Sequence, residues 1–442
     1  MRPRKELLKS DFAARVDSWV LARLRNDRPG FTDLLTSLPG VYPVVLLETL
    51  RRLSFAGMVD PASLAQYEVE AATCAGPSLT TCLLPLPHPL DFEWRFSNET
   101  SRALLEQAHE LMGPNGECVL FGTPGVALAS LDVDRGGVSF IGENNTVTRR
   151  LMRLREATQH TLDIRYCTSG IANECADVIV LDPPWYLDFV RPMLSAAAAQ
   201  CREGGFLLAS LPPEGARSDG AGERARTLRF AERVGLRLET TYPLALTYST
   251  PFFEANALAV QGVRVPHDWR RGDLVVLRKI GTTQRSFSME SVRRERWIDV
   301  EIDRMRLFVR RDGPCAAGEA ELRSLIDGDV LDAVSRRDPI RKRATVWTSG
   351  NRVFATDNAD AVIDAALSLA GAEKGLSQQP VLPVSSADRD AQDRLSYSLQ
   401  ALADKEALEE RALCQAPKLG KGHAWTSTSM TSSIASAIMA SG

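Results

Sequence analysis

The stretch Asp177-Val-Ile-Val-Leu181-Asp182-Pro183-Pro184-Trp185 decides the fold of this chain. Residues 177–181 form a short and mostly apolar run, which is typical of a strand buried on both faces of a parallel sheet. The next four residues change abruptly to a carboxylate, two prolines and an indole. In an open α/β sheet the carboxyl ends of the strands face the ligand crevice. The stretch therefore predicts a buried strand that ends at a binding site formed by residues 182–185.

Strands and helices alternate on both sides of this stretch. Further strands are predicted at residues 118–122, 137–142, 162–166, 204–210 and 238–248, and helices at residues 97–111, 192–201 and 223–234. Two more apolar runs, 254–261 and 273–279, are predicted as strands near the end of the sheet. This alternation predicts an α/β fold, a doubly wound and mainly parallel Rossmann-like sheet with right-handed crossovers.

The first 70 residues have the pattern of a helical domain. Apolar residues recur every four positions from residue 8 to residue 24, and a second apolar-periodic segment covers residues 44–55. After a glycine stop, Met58-Val59-Asp60 is predicted to begin a wing, which completes the pattern of a winged helix-turn-helix. Two interpretations stay open for this domain. One is DNA contact through residues 44–53, and the other is a packing module that forms a homodimer.

The composition divides the rest of the chain into four parts. Residues 71–96 are a proline-rich connector, in which His88 is predicted to be solvated, and residues 97–280 are the Rossmann-like domain. Alternating strands and a later helix predict a C-terminal α+β domain at residues 281–371. Residues 372–442 are predicted to be a linker, a solvated helix and a disordered tail.

Charge and hydropathy exclude several classes of protein. The 442 residues carry 53 Lys and Arg against 56 Asp and Glu, a net charge of −3, which excludes a protein that coats nucleic acid through global charge. No stretch approaches the roughly 18–20 apolar residues of a membrane helix. The basic N-terminus has no apolar segment behind it, so no signal peptide is predicted. We therefore expect a cytoplasmic protein without membrane association.

Cysteine and histidine residues show no metal-binding signature. The eight cysteines are scattered without a CxxC pair, and the chain has five histidines. Cys74 and Cys82 are eight positions apart, as are Cys167 and Cys175, and this spacing matches no usual zinc site. We expect reduced thiols and no bound metal.

Residues 182–185 are the first candidate for chemistry. The Asp182 carboxylate and the Pro183 carbonyl are two acceptors that can hold one amino group so that its lone pair points at an electrophile. Pro183 and Pro184 stiffen the turn, and Trp185 offers a flat face on which a base can stack, worth about 1–3 kcal/mol. The competing interpretation is a capping aspartate followed by a tryptophan of the core.

The second candidate is the turn after the first predicted strand. The segment Phe121-Gly122-Thr123-Pro124-Gly125 opens a helix there, where a Rossmann fold lets its backbone approach a bound cofactor. Glu143 follows the second strand at an offset of 21 residues from Gly122 (143 − 122). That offset is close to the roughly 20 residues expected between a glycine turn and a ribose-binding acid. The competing interpretation of Glu143 is a surface acid.

This arrangement resembles class I S-adenosylmethionine-dependent methyltransferases that carry the adenine-N6 signature. Residues 179–185 match that signature closely and the glycine turn at 122–125 matches it poorly, over a resemblance that covers about residues 100–280. The resemblance implies catalysis on an amino group by residues 182–185, and a duplex base would have to be flipped out to reach them. It also implies that S-adenosyl-L-methionine is the cofactor, bound by Phe121, Gly122, Thr123, Gly125 and Glu143.

A second resemblance, to branched-chain polyamine synthases, covers more of the chain. These enzymes also join an N-terminal winged helix to a Rossmann domain with an Asp-Pro-Pro-aromatic tetrad, and they place a helix like residues 97–111 before the first strand. Their acidic run after that strand is replaced here by residues 122–125. This difference weakens the case for aminopropyl transfer to a polyamine, because carboxylates hold the charges of a polycation.

Three further segments are predicted to contact the substrate. Tyr186 continues the tetrad. Phe252-Phe253-Glu254 follows a strand at the same sheet edge, where it either lines the substrate side or forms a hairpin turn with buried aromatics. A basic run that contains Arg341 and Arg343, with Trp347 after it, suits phosphates and a stacked base, or it is a solvated face.

Together these features predict a methyltransferase-like enzyme that acts on an amino group, with adenine N6 of nucleic acid as the favoured substrate. One alternative is an aminopropyltransferase that makes branched polyamines. The other is a non-catalytic nucleic-acid-binding scaffold on a degenerate methyltransferase fold, and the poorly matching glycine turn is its main support.

Overall fold

A computed structural model describes residues 2–74, 83–91, 93–133, 136–166, 176–281, 297–311, 321–373 and 386–414. Most of the predicted linker at 372–388 and the whole predicted tail after residue 414 lie outside the described residues. Within the described ranges, no helix combines the length and the apolar character that are needed to cross a membrane.

The described residues up to 74 form four helices and no strand: α1 (Arg2–Asn26), α2 (Phe31–Ser37), α3 (Pro43–Phe55) and α4 (Pro61–Thr73). The wing predicted from Met58 is wrong, because Pro61 begins α4 instead. Asp60 caps that helix by accepting a hydrogen bond from the Ser63 backbone N–H at 2.9 Å. A winged helix is therefore not confirmed.

Helix α3 is held within the helical domain. Arg51 forms an ion pair with Glu68 at 2.8 Å, and Arg52 forms one with Asp17. The apolar face of α3 is buried in a core that also contains Trp269, two residues before the sheet strand at 271–279. These contacts agree with a packing role for α3, and its contact with DNA stays a prediction.

The central part of the chain builds one sheet from β1 (Cys118–Phe121), β2 (Val138–Gly142), β3 (Asp163–Tyr166), β4 (Ala176–Leu181), β5 (Cys201–Leu211), β6 (Leu236–Thr247) and β7 (Arg271–Lys279). The strand order is β3-β2-β1-β4-β5-β7-β6. Strands β1 to β5 are parallel, and β7 is antiparallel to both of its neighbours. The predicted mainly parallel, Rossmann-like sheet is confirmed.

Six helices accompany this sheet: α5 (Asn98–Met112), α6 (Pro124–Ser130), α7 (Thr146–Thr158), α8 (Leu187–Gln200), α9 (Gly220–Arg233) and α10 (Phe252–Val260). Strand β4 is buried on both faces. Val178 and Val180 pack with α5, α6 and α7, whereas Ile179 and Leu181 pack with α8 and α9, because successive side chains of a strand point to opposite faces. The carboxyl end of this strand is thereby fixed at the centre of the sheet.

The strand predicted at residues 254–261 is wrong, since this segment belongs to α10. Every residue from Phe252 to Leu258 is buried. This segment is short, and it has no polar face that alternates with an apolar face. Its sequence pattern therefore does not distinguish a buried strand from a buried helix. Packing with other elements decides between them.

The C-terminal part forms a second, antiparallel sheet with two helices. Its strands are β8 (Trp297–Ile302), β9 (Met305–Arg310), β10 (Arg323–Ser324), β11 (Val346–Thr348) and β12 (Val353–Ala355), in the order β10-β12-β11-β9-β8. The helices are α11 (Ala359–Glu373) and α12 (Ser386–Cys414). Helix α12 is not solvated as predicted, because it buries Leu395, Leu399 and Ala403 in the core of this part.

Candidate active site

The glycine turn and the Asp-Pro-Pro-Trp tetrad meet at the edge of the sheet. Strands β1 and β4 are adjacent and parallel, and Phe121 is in register with Leu181. Gly122 has a φ of +69°, a left-handed backbone conformation that favours glycine. A Cβ at Gly122 would lie 3.3 Å from Met193 Cε and 3.7 Å from the Asp182 carbonyl oxygen. The fold thus brings both predicted motifs to one place.

A cavity of about 120 Å³ opens beside this turn, and we name it the glycine-turn cavity. Phe121, Gly122 and Glu143 line it, as the predicted cofactor contacts require. No lysine or arginine is present among the described residues that form it, and its charged lining consists of the carboxylates Asp91, Glu93, Glu143 and Asp182. The cavity therefore suits a ligand that carries positive charge.

Two other residues, Thr123 and Gly125, were predicted to contact a cofactor. The prediction for Gly125 is wrong. Gly125 lies within α6, where a Cβ would be 3.1 Å from Ser101 Oγ, so this glycine allows α6 to approach α5. Thr123 stands between two residues of the glycine-turn cavity. It is 2% exposed, and its Oγ1 has no hydrogen-bond partner among the described residues. Thr123 is not among the residues that line the cavity, so its contact with a cofactor stays a prediction.

Asp182 lies at the end of a chain of hydrogen bonds. Tyr248 Oη donates to Asp182 Oδ1 at 2.8 Å and is itself bonded to Ser210 Oγ, and Trp185 Nε1 donates to Ser210 Oγ at 3.2 Å. Burial raises the pKa of Asp182 to about 7, although the hydrogen bonds from Tyr248 and Ser210 act to lower it. The carboxyl group can therefore exchange a proton near neutral pH.

A second cavity of about 550 Å³ lies on the other side of the tetrad. We name it the aromatic cavity, because its wall contains the rings of Tyr42, Trp94, Trp185, Tyr186 and Tyr248. Asp182, Pro183 and Pro184 line it as well. Trp185 and Tyr186 line this cavity, and Trp185 also packs against the core, so both interpretations of this tryptophan apply.

The aromatic cavity also contains a fixed cation, Arg270. Its Cζ lies 5.1 Å from the centroid of the Trp94 ring and 5.8 Å from that of the Trp185 ring. Glu254, which is fully buried, forms an ion pair with Arg270 and accepts a hydrogen bond from Trp94 Nε1 at 3.0 Å. Glu254 therefore holds a wall of the cavity without lining it.

Of the two interpretations of Phe252-Phe253-Glu254, the buried aromatics are confirmed and the hairpin is wrong. The three residues form the first turn of α10, not a hairpin, and none of them lines the aromatic cavity. Phe253 is fully buried and packs edge-on against Trp94 at 5.1 Å. The apolar character of this segment comes from its place in the core.

The prediction that Arg341 contacts substrate is wrong. Its guanidinium stacks on Trp347 at 4.2 Å and donates to the Pro89 carbonyl at 3.1 Å, and both side chains are buried. Arg343 is exposed but is not among the described residues that line either cavity. Arg337, from the same basic run, does line the aromatic cavity. A charge run does not show which of its members reaches a site.

Sequence reasoning missed the contribution of the connector. Asp91, Glu93 and Trp94 line the glycine-turn cavity. His88, which was expected to be solvated, is fully buried and stacks on Phe308 with ring centroids 4.1 Å apart. Burial lowers its pKa well below the usual value. The local sequence offered one signal that this connector reaches a site. Three prolines are followed there by Asp91, Glu93 and Trp94.

The C-terminal sheet reaches the glycine-turn cavity through Arg306. This fully buried arginine donates to Asp91 at 2.6 Å and to Asp299 at 2.8 Å. Asp299 also accepts hydrogen bonds from the backbone N–H and hydroxyl of Thr146, at 3.0 Å and 2.8 Å. Thr146 begins α7 three residues after Glu143. Arg306 and Asp299 thus support two segments that line this cavity.

Comparison with known proteins gives only distant structural likenesses. No protein family profile and no curated protein sequence matches the chain. A branched-chain polyamine synthase mutein from Thermus thermophilus, bound to N4-aminopropylspermidine and 5′-methylthioadenosine, is 13% identical over 61% of this chain and 88% of its own, with a TM-score of 0.47. The T. thermophilus 16S rRNA N2 G1207 methyltransferase, bound to AdoMet and guanosine, is 19% identical over 51% of each chain, with a TM-score of 0.27.

A third neighbour, a methyltransferase from Pyrococcus furiosus, is 16% identical over 41% of this chain and 82% of its own, with a TM-score of 0.28. The strand order and the antiparallel β7 show the fold directly. The chain has a Rossmann-like α/β fold. Its substrate and reaction are not shown by these likenesses.

Proposed function

We propose that this chain transfers a methyl group from S-adenosylmethionine to an amino nitrogen, with adenine N6 of nucleic acid as the favoured substrate. One observation carries the proposal: the glycine-turn cavity and the aromatic cavity meet at Trp94, Asp182 and Pro184, which line both. An amine held at Asp182 from the aromatic side faces the contents of the glycine-turn cavity. This is the arrangement that direct transfer between two bound molecules requires.

The residues of the glycine-turn cavity fit the cofactor. Gly122 lets the backbone approach it closely, and Glu143 accepts hydrogen bonds from the ribose hydroxyls. S-adenosylmethionine supplies a methyl group on a positively charged sulfur. Glu143 and the ionised form of Asp182 favour that charge, whereas Asp91 and Glu93 are already paired with Arg306 and Arg95.

The tetrad supports the amine side of the reaction. Asp182 and the Pro183 carbonyl accept the two hydrogens of the amino group, so that the nitrogen lone pair is free for the new N–C bond. After transfer the nitrogen must lose a proton, and Asp182, whose pKa is raised to about 7, accepts it. Trp185 and the other rings of the aromatic cavity hold a planar base by stacking.

A second candidate function, aminopropyl transfer, has one specific observation in its favour. The described lining of the glycine-turn cavity has no lysine or arginine to hold the carboxylate of an intact methionine group. The decarboxylated cofactor lacks that carboxylate. Against this candidate, arginines and carboxylates both line the aromatic cavity, so its wall is not the acidic surface that would hold a polycation.

The thermal stability of the full chain with each cofactor separates these functions. Ligand at about 100 times its dissociation constant adds roughly 2.7 kcal/mol to the domain that binds it, a shift on the order of 2–4 °C per kcal/mol. We expect a shift with S-adenosylmethionine, followed by transfer of a labelled methyl group to adenine in single-stranded or duplex nucleic acid. A shift with only the decarboxylated form would favour aminopropyl transfer. A shift with neither would favour the non-catalytic scaffold.

A further inference from the structure

We propose that the mouth of the aromatic cavity, where three arginines surround Tyr186, binds an oxyanion carried by the amine substrate. When the amine belongs to a nucleobase, this oxyanion is a phosphate. The inference deepens the proposed function, because it takes the aromatic cavity as the place of the substrate. Its test measures binding alone, so it does not depend on whether a methyl group is transferred.

The three arginines converge on one ring. The Cζ atoms of Arg217, Arg336 and Arg337 lie 4.3, 4.8 and 5.9 Å from the centroid of the Tyr186 ring. The Arg336 backbone N–H also points to Tyr186 Oη, at 3.4 Å. Tyr186 directly follows the tetrad, so this cluster lies beside the site where the amine is held. We name these three residues the arginine cluster.

The arginine cluster has more positive charge than its partners neutralise. Arg217 and Arg337 share a single carboxylate, Glu223, at 3.1 Å and 3.9 Å. Arg336 forms an ion pair with Asp188. Three guanidinium groups therefore face two carboxylates, and one positive charge is left in excess.

Two other carboxylates, Glu48 and Asp332, line the aromatic cavity. Among the described residues, neither forms an ion pair with the arginine cluster. The deeper cation Arg270 already has its own carboxylate, Glu254. The excess charge therefore lies beside Tyr186, where Arg217 and Arg337 line the cavity, rather than at Arg270.

The chemistry of arginine specifies the class of ligand. Its planar group donates two parallel hydrogen bonds to a phosphate or a carboxylate, and a ring beneath it holds its plane in place. Burial lowers the pKa of Arg217, although Glu223 opposes this effect, so a further anion at this position relieves a cost. Arg337 has 70% of its side chain exposed and can turn toward such a group.

The size and lining of the cavity fit a nucleotide with its phosphate outward. A volume of about 550 Å³ is within the range of about 300–1,000 Å³ that is usual for small-ligand sites. The rings beside Asp182 accept the base, and the arginine cluster at the mouth then meets the phosphate. A polyamine has no group that would use this cluster.

Two matched pairs of ligands test the proposal on the full chain by calorimetry. The first pair is deoxyadenosine 5′-monophosphate and deoxyadenosine, and the second is lysine and its decarboxylated counterpart. Within a pair only the oxyanion differs. We expect the monophosphate to bind about tenfold more tightly than the nucleoside, and this ratio to fall as salt screens the charges.

The variants Arg337→Gln and Arg217→Gln should abolish this preference, whereas Arg343→Gln, an exposed arginine of the same basic run that lines neither cavity, should keep it. Arg337 is exposed, so its variant tests the site even if Arg217→Gln does not fold. A preference confined to lysine would support the oxyanion site and overturn the nucleobase substrate. Equal binding within both pairs, no binding of any of the four ligands, or a preference unchanged in Arg337→Gln would overturn the inference.

Discussion

Tyr248 Oη donates a hydrogen bond to Asp182 Oδ1 at 2.8 Å, and both groups are buried where the two cavities meet. The tyrosine comes directly after β6 and the aspartate directly after β4. In the sheet, β5 and β7 lie between these two strands. Tyr248 therefore orients the carboxylate of the tetrad from a part of the chain with no motif of its own. Ser210 Oγ extends the same hydrogen-bond chain to Trp185.

Replacement of the central carboxylate should stop transfer and spare the cofactor. We expect Asp182→Asn, which keeps the shape of the side chain, to lower the rate of methyl transfer by at least about a hundredfold, because general acid–base groups contribute about 10²–10⁴-fold. The affinity for S-adenosylmethionine, measured by calorimetry, should change little. Asp163→Asn, at a half-exposed acid on the edge strand β3 that pairs with Arg165, is the control. Loss of cofactor binding in Asp182→Asn would show that this residue has been given the wrong role.

Removal of the tyrosine hydroxyl should move the pH profile of the reaction. The hydrogen bond from Tyr248 stabilises the ionised form of Asp182 and lowers its pKa, so its loss in Tyr248→Phe raises that pKa further above 7. A hydrogen bond to a charged group is worth about 1.5–3 kcal/mol, or about one to two pH units. The rising limb of the rate against pH should move to higher pH by that amount. If the rising limb stays at the same pH in Tyr248→Phe, Asp182 is not the group whose titration controls the rate.

The raised pKa of Asp182 also predicts how stability changes with pH. Between its ordinary value of about 3.9 and about 7, the folded state holds a proton that the unfolded state has lost. The contribution of this group to the free energy of unfolding therefore falls as pH rises through that window, by at most about 1.4 kcal/mol per pH unit. Urea unfolding of the wild type and Asp182→Asn at pH 5 to 8 measures the difference. The wild type should lose stability relative to the variant up to about pH 7, and a constant difference would contradict the assignment.

Glu143 should contribute to cofactor affinity and to nothing else. In Glu143→Gln the ribose hydroxyls meet a neutral acceptor, and hydrogen bonds to charged groups are stronger by about 1 kcal/mol. We expect the dissociation constant of S-adenosylmethionine to rise about fivefold to tenfold. Glu156→Gln, at an exposed acid further along α7, should leave it unchanged. Equal affinities in the two variants would remove Glu143 from the cofactor site.

Arg306 should act on the cofactor site from the C-terminal sheet. Arg306→Lys keeps the charge but loses the fork that joins Asp91 and Asp299, so the segments that line the glycine-turn cavity are held less firmly. We expect about tenfold weaker binding of S-adenosylmethionine in calorimetry at a temperature well below unfolding. Arg304→Lys, which changes the neighbouring ion pair with Glu410, is the matched control. Loss of stability in Arg306→Lys without loss of affinity would make its role purely structural.

Local sequence determined the elements that carry the site. The apolar run before Asp182 specified β4, and the change to proline and tryptophan at its end marked the binding edge, because both signals depend only on neighbouring residues. The spacing between Gly122 and Glu143 was informative for the same reason, since one helix, α6, and one strand, β2, separate them. Gly125, in contrast, has the same local appearance as Gly122 and packs against α5.

Only the tertiary structure decided which distant residues join the tetrad. Tyr42, Trp94, Tyr248 and Arg270 come from four separate segments, and no pattern in any of them shows that it reaches Asp182. Arg337 and Arg341 look alike in sequence, yet one is exposed at a cavity and the other is buried on Trp347. Burial and ion pairing depend on neighbours from elsewhere in the chain. Those neighbours are set by the packing of whole elements, which the local sequence does not contain.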